Sequence, residues 1–386
     1  MNRSREESRR RVLAVMRWPV GGIRTYLLYN YPWLAQEGYS FTLVGPADHS
    51  FRTLCQETAS WRAVEFVEAP LVGGRCALRR TISRLLKERR WGLIHSHGLT
   101  AGAEAVLANL GRGVPHLITS HDVIRPSQAA GLAGRLKLRL LGWLLSRADV
   151  LVAVSRDARE NHLRYLPSLR RGICRVVTIR NGVDISRLDA HEPLPTDRLR
   201  QRLAVPNDAY LLGFFGRFME QKGFLVLLEA IDRVLAEHDA RRMHLVAVGS
   251  GDYRREYQAE AARRARLAQR ICFLDHAPNV APLLRGLDLL VMPSLWEACP
   301  LLPMEAMCLG VPVLGSDCIG LREVLAGSPS RMVPAGDAAA LACAIRQAMH
   351  SPWKEEAQVY AAVARRRFDV RAAAAQLAGL FDQLAG

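Results

Sequence analysis

The chain has 386 residues, a hydrophobic content of 49% and a formal net charge of +16. This length exceeds the roughly 250–300 residues at which single hydrophobic cores stop growing, so it predicts two domains. No apolar run approaches the ~20 residues that span a bilayer, which argues against a transmembrane helix. The run Val12–Met16 is too short for a signal peptide and predicts a first strand.

Short apolar runs that end in Gly, Ser, Asn or His alternate with helix-period segments along the whole chain. The alternation predicts parallel strands joined by helices, and strands that are apolar throughout predict sheets covered on both faces. The first series of predicted strands comprises Arg11–Met16, Phe41–Pro46, Gly92–His97, His116–His121, Asp149–Ser155 and Arg175–Arg180. The second series comprises Leu211–Gly216, His244–Gly249, Ile271–Asp275, Asp288–Pro293, Pro312–Ser316 and Arg331–Pro334. Each series has the length of one doubly wound domain.

The segment His191–Pro206 separates the two series. It is polar and contains three prolines, which is typical of a linker. We therefore predict an N-terminal domain over residues 1–190, a linker over 191–206 and a C-terminal domain over 207–369. Ligands of such sheets bind at the carboxyl ends of the strands, so we expect the site in a cleft between two facing domains.

The positive charge is concentrated in the N-terminal half. Residues 1–190 contain 30 Lys and Arg against 15 Asp and Glu, a difference of +15, whereas the remaining residues contain 23 against 22, a difference of +1. This asymmetry suggests a polyanionic partner, which could be an anionic membrane surface, nucleic acid or a phosphorylated acceptor. An arginine-rich solubilising surface is the alternative. Because interleaved aromatic residues for base stacking are not evident, nucleic acid is the least favoured partner.

One basic amphipathic stretch, Gly134–Arg147, lies in this half. Leucines and Trp143 alternate there with Arg135, Lys137 and Arg139. A helix of this kind can lie in a membrane interface. It can equally be an inter-strand helix that packs its leucines on the sheet.

The eight cysteines carry no metal or disulfide pattern. They are scattered without a CxxC pair, and three of them, Cys299, Cys308 and Cys318, have apolar neighbours. Buried thiols in a reducing cytosol fit this distribution better than a disulfide frame or a zinc site.

A strand, a glycine turn and two cations follow one another at Leu211–Gly223. Arg217 and Lys222 are five residues apart, after Gly216 and before a predicted helix. Two fixed positive charges beside a helix N-terminus favour a bound diphosphate. Lys222 is one of only four lysines against 49 arginines, and a lysine binds phosphate as a compact point charge. A solvated pair on a loop is the alternative.

Two carboxylates with seven residues between them follow a later strand. Glu297 ends a strand turn and Glu305 lies in the first turn of an apolar helix. Carboxylates on an apolar background are costly unless they are paired or bound to ligand, and each can accept from two vicinal hydroxyls of a sugar. For Glu305 alone, a capping role near the helix N-terminus remains open.

The chain resembles the retaining GT-B glycosyltransferases of family 4. The resemblance rests on the spaced glutamates, the turn from Gly216 to Gly223, and Pro312-Val313 after Gly310. Gly21-Gly22, Ser155 and Asn181-Gly182 recur at the family's places, so the resemblance covers nearly the whole chain. It implies an α/β fold of the GT-B type: two facing doubly wound Rossmann-like domains with parallel sheets and a cleft between them. It also implies that the last helix, about 370–386, can pack back on the first domain.

The resemblance assigns roles to particular residues. The implied catalytic residues are His121, Arg217, Lys222 and Glu297. The implied donor-binding residues are Gly21, Gly22, Gly216, Arg217, Lys222, Glu297, Ala298, Cys299, Pro300, Leu301 and Glu305. The implied acceptor side contains His97 and Asn181, although His97 can equally be a satisfied histidine at the end of a strand.

The implied reaction is transfer of a sugar, with retention and without a metal or other cofactor, from a UDP- or GDP-sugar to a saccharide or lipid-linked saccharide. Such a reaction belongs to the assembly of cell-surface polysaccharide or glycolipid, in the cytoplasm or at the inner face of the cell membrane. Two alternatives share the architecture: a sugar-nucleotide epimerase and a nucleotide-binding GT-B protein without catalysis. A dehydrogenase is disfavoured because no GxGxxG turn is present.

Overall fold

The computed structural model describes residues 8–61, 63–190, 196–236, 242–275, 277 and 279–386. They form two compact units. Unit 1 combines the chain up to Gly182 with Val370–Gly386, and unit 2 is Val183–Asp369. Unit 1 is therefore assembled from the two ends of the chain, and unit 2 from one continuous segment.

Unit 1 is built on a seven-stranded sheet in the order β3-β2-β1-β4-β5-β6-β7, in which every pair of neighbours is parallel. Its strands are β1 Arg11–Met16, β2 Ser40–Pro46, β3 Val64–Ala69, β4 Leu93–His97, β5 His116–Ser120, β6 Val150–Ala153 and β7 Arg175–Thr178. The side chains of Val12–Met16 are fully buried. Continuous burial of the central strand requires helices on both faces.

Helices connect these strands and cover the sheet. They are α1 Gly22–Gln36, α2 His49–Thr58, α3 Gly74–Glu88, α4 Leu99–Asn109, α5 Gly131–Leu145 and α6 Arg156–Tyr165, with α16 Val370–Ala385 from the end of the chain. Short 3-10 turns lie at Pro126–Ala129 and Pro167–Arg170. Ser155 is the N-cap of α6, since its Oγ accepts from the Ala158 N–H at 3.0 Å. This capping bond gives Ser155 a structural role at the start of a helix.

Strand β3 is absent from the predicted series. It forms the edge of the sheet and contains Glu65 and Glu68 among its apolar residues. Glu65 pairs with Arg89, and Glu68 pairs with Arg52. An edge strand needs to bury only part of its surface, so β3 can contain charged residues. A prediction from continuously apolar runs therefore does not include it.

The last helix, α16, belongs to unit 1. Phe381 is fully buried, and its ring packs edge-on against Tyr39 at a centroid distance of 5.2 Å. The Tyr39 hydroxyl donates a 2.5 Å hydrogen bond to Asp382. The end of the chain is thus fixed to unit 1 by an apolar contact and a polar contact.

Unit 2 contains a six-stranded parallel sheet in the order β10-β9-β8-β11-β12-β13. Its strands are β8 Tyr210–Phe215, β9 Met243–Val248, β10 Ile271–Leu274, β11 Leu289–Met292, β12 Val313–Ser316 and β13 Arg331–Val333. Its helices are α7 Ile185–Asp189, α8 Thr196–Arg202, α9 Phe224–Leu235, α10 Arg254–Arg263, α11 Ala281–Arg285, α12 Leu302–Cys308, α13 Leu321–Leu325, α14 Ala338–Met349 and α15 Trp353–Arg367. Two parallel sheets with helical crossovers confirm the predicted fold class.

The division between the units lies before the predicted boundary at residue 190. The Val183 N–H donates to the Phe368 carbonyl at 2.7 Å, and Asp189 on α7 pairs with Arg365. These contacts fix residues 183–190 to the final part of unit 2. A boundary drawn from polarity alone does not detect such long-range pairing.

The predicted linker, 191–206, contains a helix. Residues 191–195 lie outside the described residues. Further along, α8 carries Leu199 and Arg200, which are buried in unit 2, and the Arg200 guanidinium donates to Asp288 at 3.0 Å. The second half of the predicted linker is therefore a packed element. Within the part of the chain that the structure describes, no helix is long and apolar enough to cross a membrane.

Candidate active site

The order of the strands in unit 2 places two loops side by side. Strands β8 and β11 are neighbours, and the chain leaves β8 towards β9 on one side and continues from β11 towards β12 on the other. Ligands of doubly wound sheets bind at this switch point, beyond the carboxyl ends of the strands. The loop after β8 contains Gly216 to Gly223, and the loop after β11 contains Ser294 to Leu301.

The loop after β8 requires glycine. Gly216 has φ +147°, and a Cβ added to Gly249 would lie only 1.9 Å from the Gly216 carbonyl oxygen. The Cε atom of Lys222 lies 3.6 Å from the place of a Gly216 Cβ. Glycine is therefore required at 216 by the positive φ and at 249 by the lack of room for a Cβ.

A cluster of buried aromatic rings packs against this loop. Phe218 is fully buried and contacts the rings of Phe214, Phe224 and Phe273 at centroid distances of 5.2–5.9 Å. Its N–H donates to the Ser250 carbonyl at 2.8 Å. Because Phe218 follows Arg217 directly, the packing of one ring fixes the backbone that carries the cation.

A short 3-10 turn, Glu220–Lys222, lies in the loop after β8 and is hydrogen-bonded to the loop after β11. It ends at Gly223 with φ +64°, where a Cβ would lie 2.0 Å from the Pro293 carbonyl oxygen. Gln221 bonds the second loop twice: its carbonyl accepts from the Leu295 N–H at 2.8 Å, and its side-chain amide donates to the Trp296 carbonyl at 2.8 Å. These bonds bring Lys222 to the residues that follow β11.

Lys222 and Glu297 form an ion pair. The Lys222 Nζ lies 2.5 Å from Glu297 Oε1, and the Ser294 hydroxyl donates to the same oxygen at 2.9 Å. The side chain of Glu297 is 7% exposed and that of Lys222 is 21% exposed. The Glu297 N–H also donates to the Ile319 carbonyl at 3.1 Å. The carboxylate is thus held by two side-chain donors at one oxygen, its backbone is fixed by a third bond, and the ammonium is partly exposed.

Arg217 differs from Lys222 in its surroundings. Its side chain is exposed, and it makes no ion pair or hydrogen bond with any described residue. It follows Gly216 directly, at the end of β8. A free guanidinium at the rim of the switch point can turn towards a bound anion without breaking an existing contact.

The segment that follows Glu297, for which donor binding is predicted, is mostly buried. Ala298, Cys299 and Leu301 are each less than 8% exposed, and Pro300 is partly exposed. A Cβ on Gly320 would lie 2.4 Å from the Glu297 carbonyl and 2.5 Å from that of Ala298, so the loop after β12 presses against this backbone.

Glu305, the second of the spaced glutamates, lies in the first turn of α12. It is 5% exposed, and its N–H donates to the Leu301 carbonyl at 2.9 Å. A carboxylate in this position benefits from the positive end of the helix dipole. The same burial places its oxygens on an otherwise apolar helix, where ligand hydroxyls are suitable partners.

In unit 1, the turn after β1 ends in two exposed glycines, Gly21 and Gly22, whose backbone is not covered by side chains. Gly21 has φ +53° and begins α1 without a side-chain cap. A Cβ added at Gly21 or Gly22 would meet nothing within 4 Å. Strand β4 is the neighbour of β1 and ends at His97, so the switch point of unit 1 lies between these two strands.

His121 lies beyond the carboxyl end of β5, next to that switch point. Its Nε2 is 3.2 Å from His97 Nδ1, and its ring stacks on that of His97 at a centroid distance of 5.4 Å. Tyr26 packs edge-on against it at 4.7 Å. Burial lowers the pKa of His121 to about 3, so the imidazole is neutral near pH 7.

The structure favours the satisfied-histidine interpretation of His97 over an acceptor contact. His97 is 1% exposed, and its two ring nitrogens are bonded to Tyr31 at 2.8 Å and to His121. No ring nitrogen remains for an acceptor. Asn181, the other predicted acceptor residue, is 8% exposed and lies just before the end of the first segment of unit 1.

Sequence reasoning missed four polar residues of these sites. They are Ser294, beside Glu297, and Tyr31, His95 and Thr119, which are hydrogen-bonded behind His97. His95 could have been found, because His95 and His97 are two residues apart on a strand and therefore share a face. Tyr31 comes from a different helix, and no local pattern connects it to β4. Among the described residues, no group of three or more His, Cys, Asp and Glu side chains could hold a metal ion.

Both units match known glycosyltransferase sequences. Residues 209–351 match the family described as "Glycosyl transferases group 1", and residues 21–182 match the "Glycosyl transferase 4-like domain". The α-maltose-1-phosphate synthase of Mycolicibacterium smegmatis is 28% identical over 71% of this chain and 73% of its own length. The 2-deoxystreptamine N-acetyl-D-glucosaminyltransferase of Streptomyces fradiae is 30% identical over 71% of this chain and 67% of its own length.

The fold is shared with solved glycosyltransferase structures. The Anabaena protein HepE, crystallised with UDP-glucose, superposes with a TM-score of 0.80 over 97% of this chain and 99% of its own, at 21% identity. The predicted family is thereby confirmed by sequence over both units and by fold over nearly the whole length. This chain belongs to the group 1 glycosyltransferases of family 4 and has their GT-B fold.

Proposed function

We propose that this protein transfers a sugar from a nucleoside diphosphate sugar to a saccharide acceptor, with retention of the anomeric configuration and without a metal ion or other cofactor. The observation that carries the proposal is the Lys222–Glu297 pair at the switch point of unit 2, with the unpaired Arg217 beside it. Two cations on a glycine-rich turn suit the leaving diphosphate, whose charge must be stabilised in the transition state.

The ion pair suggests how donor binding changes the site. A diphosphate offers the Lys222 ammonium a stronger anionic partner than one carboxylate, and the ammonium is partly exposed. If the ammonium turns towards the phosphate, Glu297 regains an acceptor position while Ser294 and the Ile319 carbonyl keep it in place. The carboxylate can then accept from hydroxyls of the transferred sugar. Arg217 supplies a second charge as the nucleotide leaves.

The nucleoside and the sugar are assigned to the neighbouring groups. We propose that Glu305 accepts from the ribose hydroxyls, and that the backbone of residues 298–301 contacts the transferred sugar. Since HepE was crystallised with UDP-glucose, UDP-sugars are the first donors to test, with GDP-sugars as the comparison. His121, neutral and partly exposed, is proposed to lie beside the reacting sugar. The glycines at 21 and 22 let backbone approach a ligand closely.

The acceptor is proposed to be a saccharide, free or lipid-linked, as in the assembly of cell-surface polysaccharide or glycolipid. The names of two relatives add compounds to the acceptor screen: sugar phosphates, because one relative is named a maltose-1-phosphate synthase, and 2-deoxystreptamine, which the name of the other contains. A phosphorylated acceptor would also suit the basic N-terminal half, which carries +15 of the net charge of +16.

The test combines donor binding with turnover. Thermal shifts of the purified protein are measured with UDP, GDP and their sugars, and nucleotide release is then followed with the acceptor panel. We expect one nucleotide to stabilise the protein, and Glu305→Ala to abolish that shift. Arg217→Ala should lower turnover, whereas Arg255→Ala, which removes another exposed arginine of unit 2, should not.

The same experiment separates the alternatives. A protein stabilised by no nucleotide or nucleotide sugar would contradict the proposed donor site. Conversion of the donor sugar to its epimer, with no acceptor product, would identify an epimerase. Nucleotide binding without any turnover would identify a non-catalytic binding protein. Product formed with inverted configuration would contradict retention.

We further propose that unit 1 binds an anionic membrane surface through α5, at the cytoplasmic face of the membrane. Leu132, Leu136, Leu140 and Trp143 recur every three or four residues, are 49–84% exposed, and form one apolar stripe. The opposite face of the helix, with Leu138, is buried against the unit. A stripe of this kind on a packed helix has the spacing of an interfacial helix.

The charges beside this stripe have one sign. Arg135, Lys137, Arg139 and Arg147 are exposed, and α5 itself contains no carboxylate. Gly172 lies against Ser146 at the end of α5, and Ile173, the next residue, is 80% exposed. Apolar side chains among cations match a surface of anionic headgroups over acyl chains.

Vesicle flotation tests this surface. We expect binding to vesicles that contain phosphatidylserine at low salt, weaker binding as salt rises, and loss of binding in Leu136→Ser/Leu140→Ser. The matched control is Val359→Ser, which removes an apolar side chain that is 81% exposed on α15 of unit 2. Failure to bind anionic vesicles at low salt, or equal binding by both variants, would refute the membrane proposal.

A further inference from the structure

Five side chains of unit 1 form one continuous chain of hydrogen bonds, called the histidine chain below. The Thr119 hydroxyl lies 2.8 Å from His95 Nε2, and His95 Nδ1 lies 2.9 Å from the Tyr31 hydroxyl. The same hydroxyl lies 2.8 Å from His97 Nε2, and His97 Nδ1 lies 3.2 Å from His121 Nε2. The chain joins α1, β4 and β5 and ends at the proposed active-site histidine.

The histidine chain is buried except at one end. Thr119, His95 and Tyr31 are fully buried, His97 is 1% exposed, and His121 is partly exposed. The ring of His95 is covered by Phe381 of α16, edge-on at a centroid distance of 5.3 Å. Burial lowers the pKa of each of the three histidines, so that all three rings are neutral near pH 7.

Because the three imidazoles are neutral, the directions of the hydrogen bonds in the histidine chain depend on one another. A neutral imidazole donates from one nitrogen and accepts at the other, and a hydroxyl in this arrangement also donates once and accepts once. If His121 Nε2 donates to His97, every later member must donate in the same direction as far as Thr119. If the Thr119 hydroxyl donates to His95, every bond is reversed. The tautomer of His121 is therefore linked to the orientation of the Thr119 hydroxyl, four hydrogen bonds away.

Among the described residues, one ring nitrogen of the histidine chain has no hydrogen-bond partner. Both nitrogens of His95 and both of His97 are used, and His121 uses Nε2. His121 Nδ1 has no hydrogen-bond partner among the described residues. The His97 and Tyr26 rings hold the imidazole from two sides. The chain therefore presents a single unused nitrogen, on a ring whose position is fixed.

We propose that Thr119, His95, Tyr31 and His97 are positioning residues that hold His121 in one tautomer, with Nδ1 directed at a substrate hydroxyl. The inference rests on the proposed function, because it assumes that His121 lies beside the reacting sugar. A hydroxyl can accept from Nδ1–H or donate to the Nδ1 lone pair, so either direction of the chain serves recognition. The histidine chain fixes which of the two tautomers His121 adopts, whereas a solvated imidazole exchanges between both.

The test uses near-isosteric changes at two fully buried members of the histidine chain, Thr119 and Tyr31. Thr119→Val removes the Thr119 hydroxyl, which also bonds the Tyr26 side chain, and Thr119→Ser retains it. Tyr31→Phe breaks the middle of the histidine chain, leaves the contact between Tyr26 and Thr119 in place, and keeps the ring that stacks on Phe41. Thr81→Val is the matched control: Thr81 is also buried in unit 1, but its hydroxyl bonds the Ala77 carbonyl outside the histidine chain.

Two measurements are made on each variant. Nitrogen NMR of protein labelled at histidine, with His121 assigned by His121→Ala, shows whether its ring holds one tautomer or a mixture. The steady-state kinetics show whether kcat or KM changes. We expect Thr119→Val and Tyr31→Phe to give mixed tautomers at His121 and to lower kcat about tenfold, with KM for the donor changed less than about twofold. Thr119→Ser should recover most of the lost turnover, and Thr81→Val should match the parent protein in both measurements.

The outcomes separate this inference from the proposed function. The NMR measurement needs no donor. A protein that transfers no sugar but whose His121 tautomer depends on Thr119 would therefore contradict the proposed function and support the positioning role of the histidine chain. An active enzyme whose His121 signals are the same in Thr119→Val and Tyr31→Phe refutes the positioning role. Equal loss of turnover in Thr119→Ser and Thr119→Val would also refute it, because only one of them lacks the hydroxyl.

Discussion

Replacing Lys222 with methionine removes the ammonium from the proposed donor site and keeps most of the side-chain volume. Glu297, which is 6% exposed, would retain the Ser294 hydroxyl as its only side-chain donor among the described residues. Breaking a fully buried ion pair costs about 3–5 kcal/mol of unfolding free energy. Because the Lys222 side chain is 21% exposed, water can replace part of the lost contact. We therefore expect a loss of about 2 kcal/mol.

The effect on turnover should be larger than the effect on folding. Removal of one donor that stabilises developing charge lowers kcat by about 100–1000-fold. A loss of about 2 kcal/mol leaves a protein of ordinary stability, about 5–15 kcal/mol, almost fully folded at 25 °C. Unfolding therefore cannot account for a loss of turnover on this scale.

The assay is a double-mutant cycle with Glu297→Gln, measured by urea unfolding and by steady-state kinetics. The coupling energy between the two positions should be about 1–2 kcal/mol. Lys354→Met is the matched control, because Lys354 also forms an ion pair in unit 2, with Asp288 at 2.7 Å. Asp288 precedes β11, whereas Ser294 follows it, so the control pair lies at the amino end of the strand. The control should lose stability and retain turnover.

Two results would refute the argument. A coupling energy below about 0.5 kcal/mol would mean that the Lys222–Glu297 contact contributes nothing specific. A kcat for Lys222→Met within about threefold of that for Lys354→Met would mean that the ammonium does not stabilise the leaving group, since its loss should cost far more.

Three further predictions follow from the packing and the buried histidines. Gly249→Ala should abolish the thermal shift with nucleotide, because its Cβ would lie 1.9 Å from the Gly216 carbonyl; an unchanged shift would contradict the close packing. Gly379→Ala should raise stability by about 0.5–1 kcal/mol in urea unfolding, because the added Cβ meets nothing within 4 Å on a helix; a lower midpoint would contradict this. Burial lowers the pKa of His162 to about 4, so this neutral histidine stabilises the fold above pH 6.5. That contribution, about 3 kcal/mol, should be lost as the pH falls from 6.5 to 4. His162→Gln should flatten the pH dependence of the urea midpoint, and an unchanged slope would contradict the assignment.

The loops after β8 and β11 could be predicted from the sequence because their constraints are local. Gly216 and Gly223 lie directly beside the strand and the turn that need positive φ, and the cations follow at fixed spacing. Continuously apolar strands identified the parallel sheets for the same reason. Where the residue type is determined by the conformation of neighbouring residues in the sequence, the sequence pattern indicates the structure.

The remaining features depend on contacts between distant segments. Tyr31 reaches His95 and His97 across 64 and 66 residues, and no periodicity connects them. Residues 183–190 belong to unit 2 because Asp189 pairs with Arg365, 176 residues later. Strand β3 was missed since an edge strand satisfies its glutamates with arginines from other elements. Each of these features requires a three-dimensional partner, which a reading of neighbouring residues does not supply.

The return of α16 to unit 1 affects the order in which the protein can be completed during translation. Unit 2 is continuous, so all of its residues have been synthesised when the ribosome reaches Asp369. Unit 1 begins first but lacks its final helix until the end, when Phe381 covers His95 and Asp382 bonds Tyr39 across 343 residues. Unit 1 therefore begins first and is completed only after unit 2, and a chain interrupted at Asp369 would contain a complete unit 2 and a histidine chain without the Phe381 ring that covers His95.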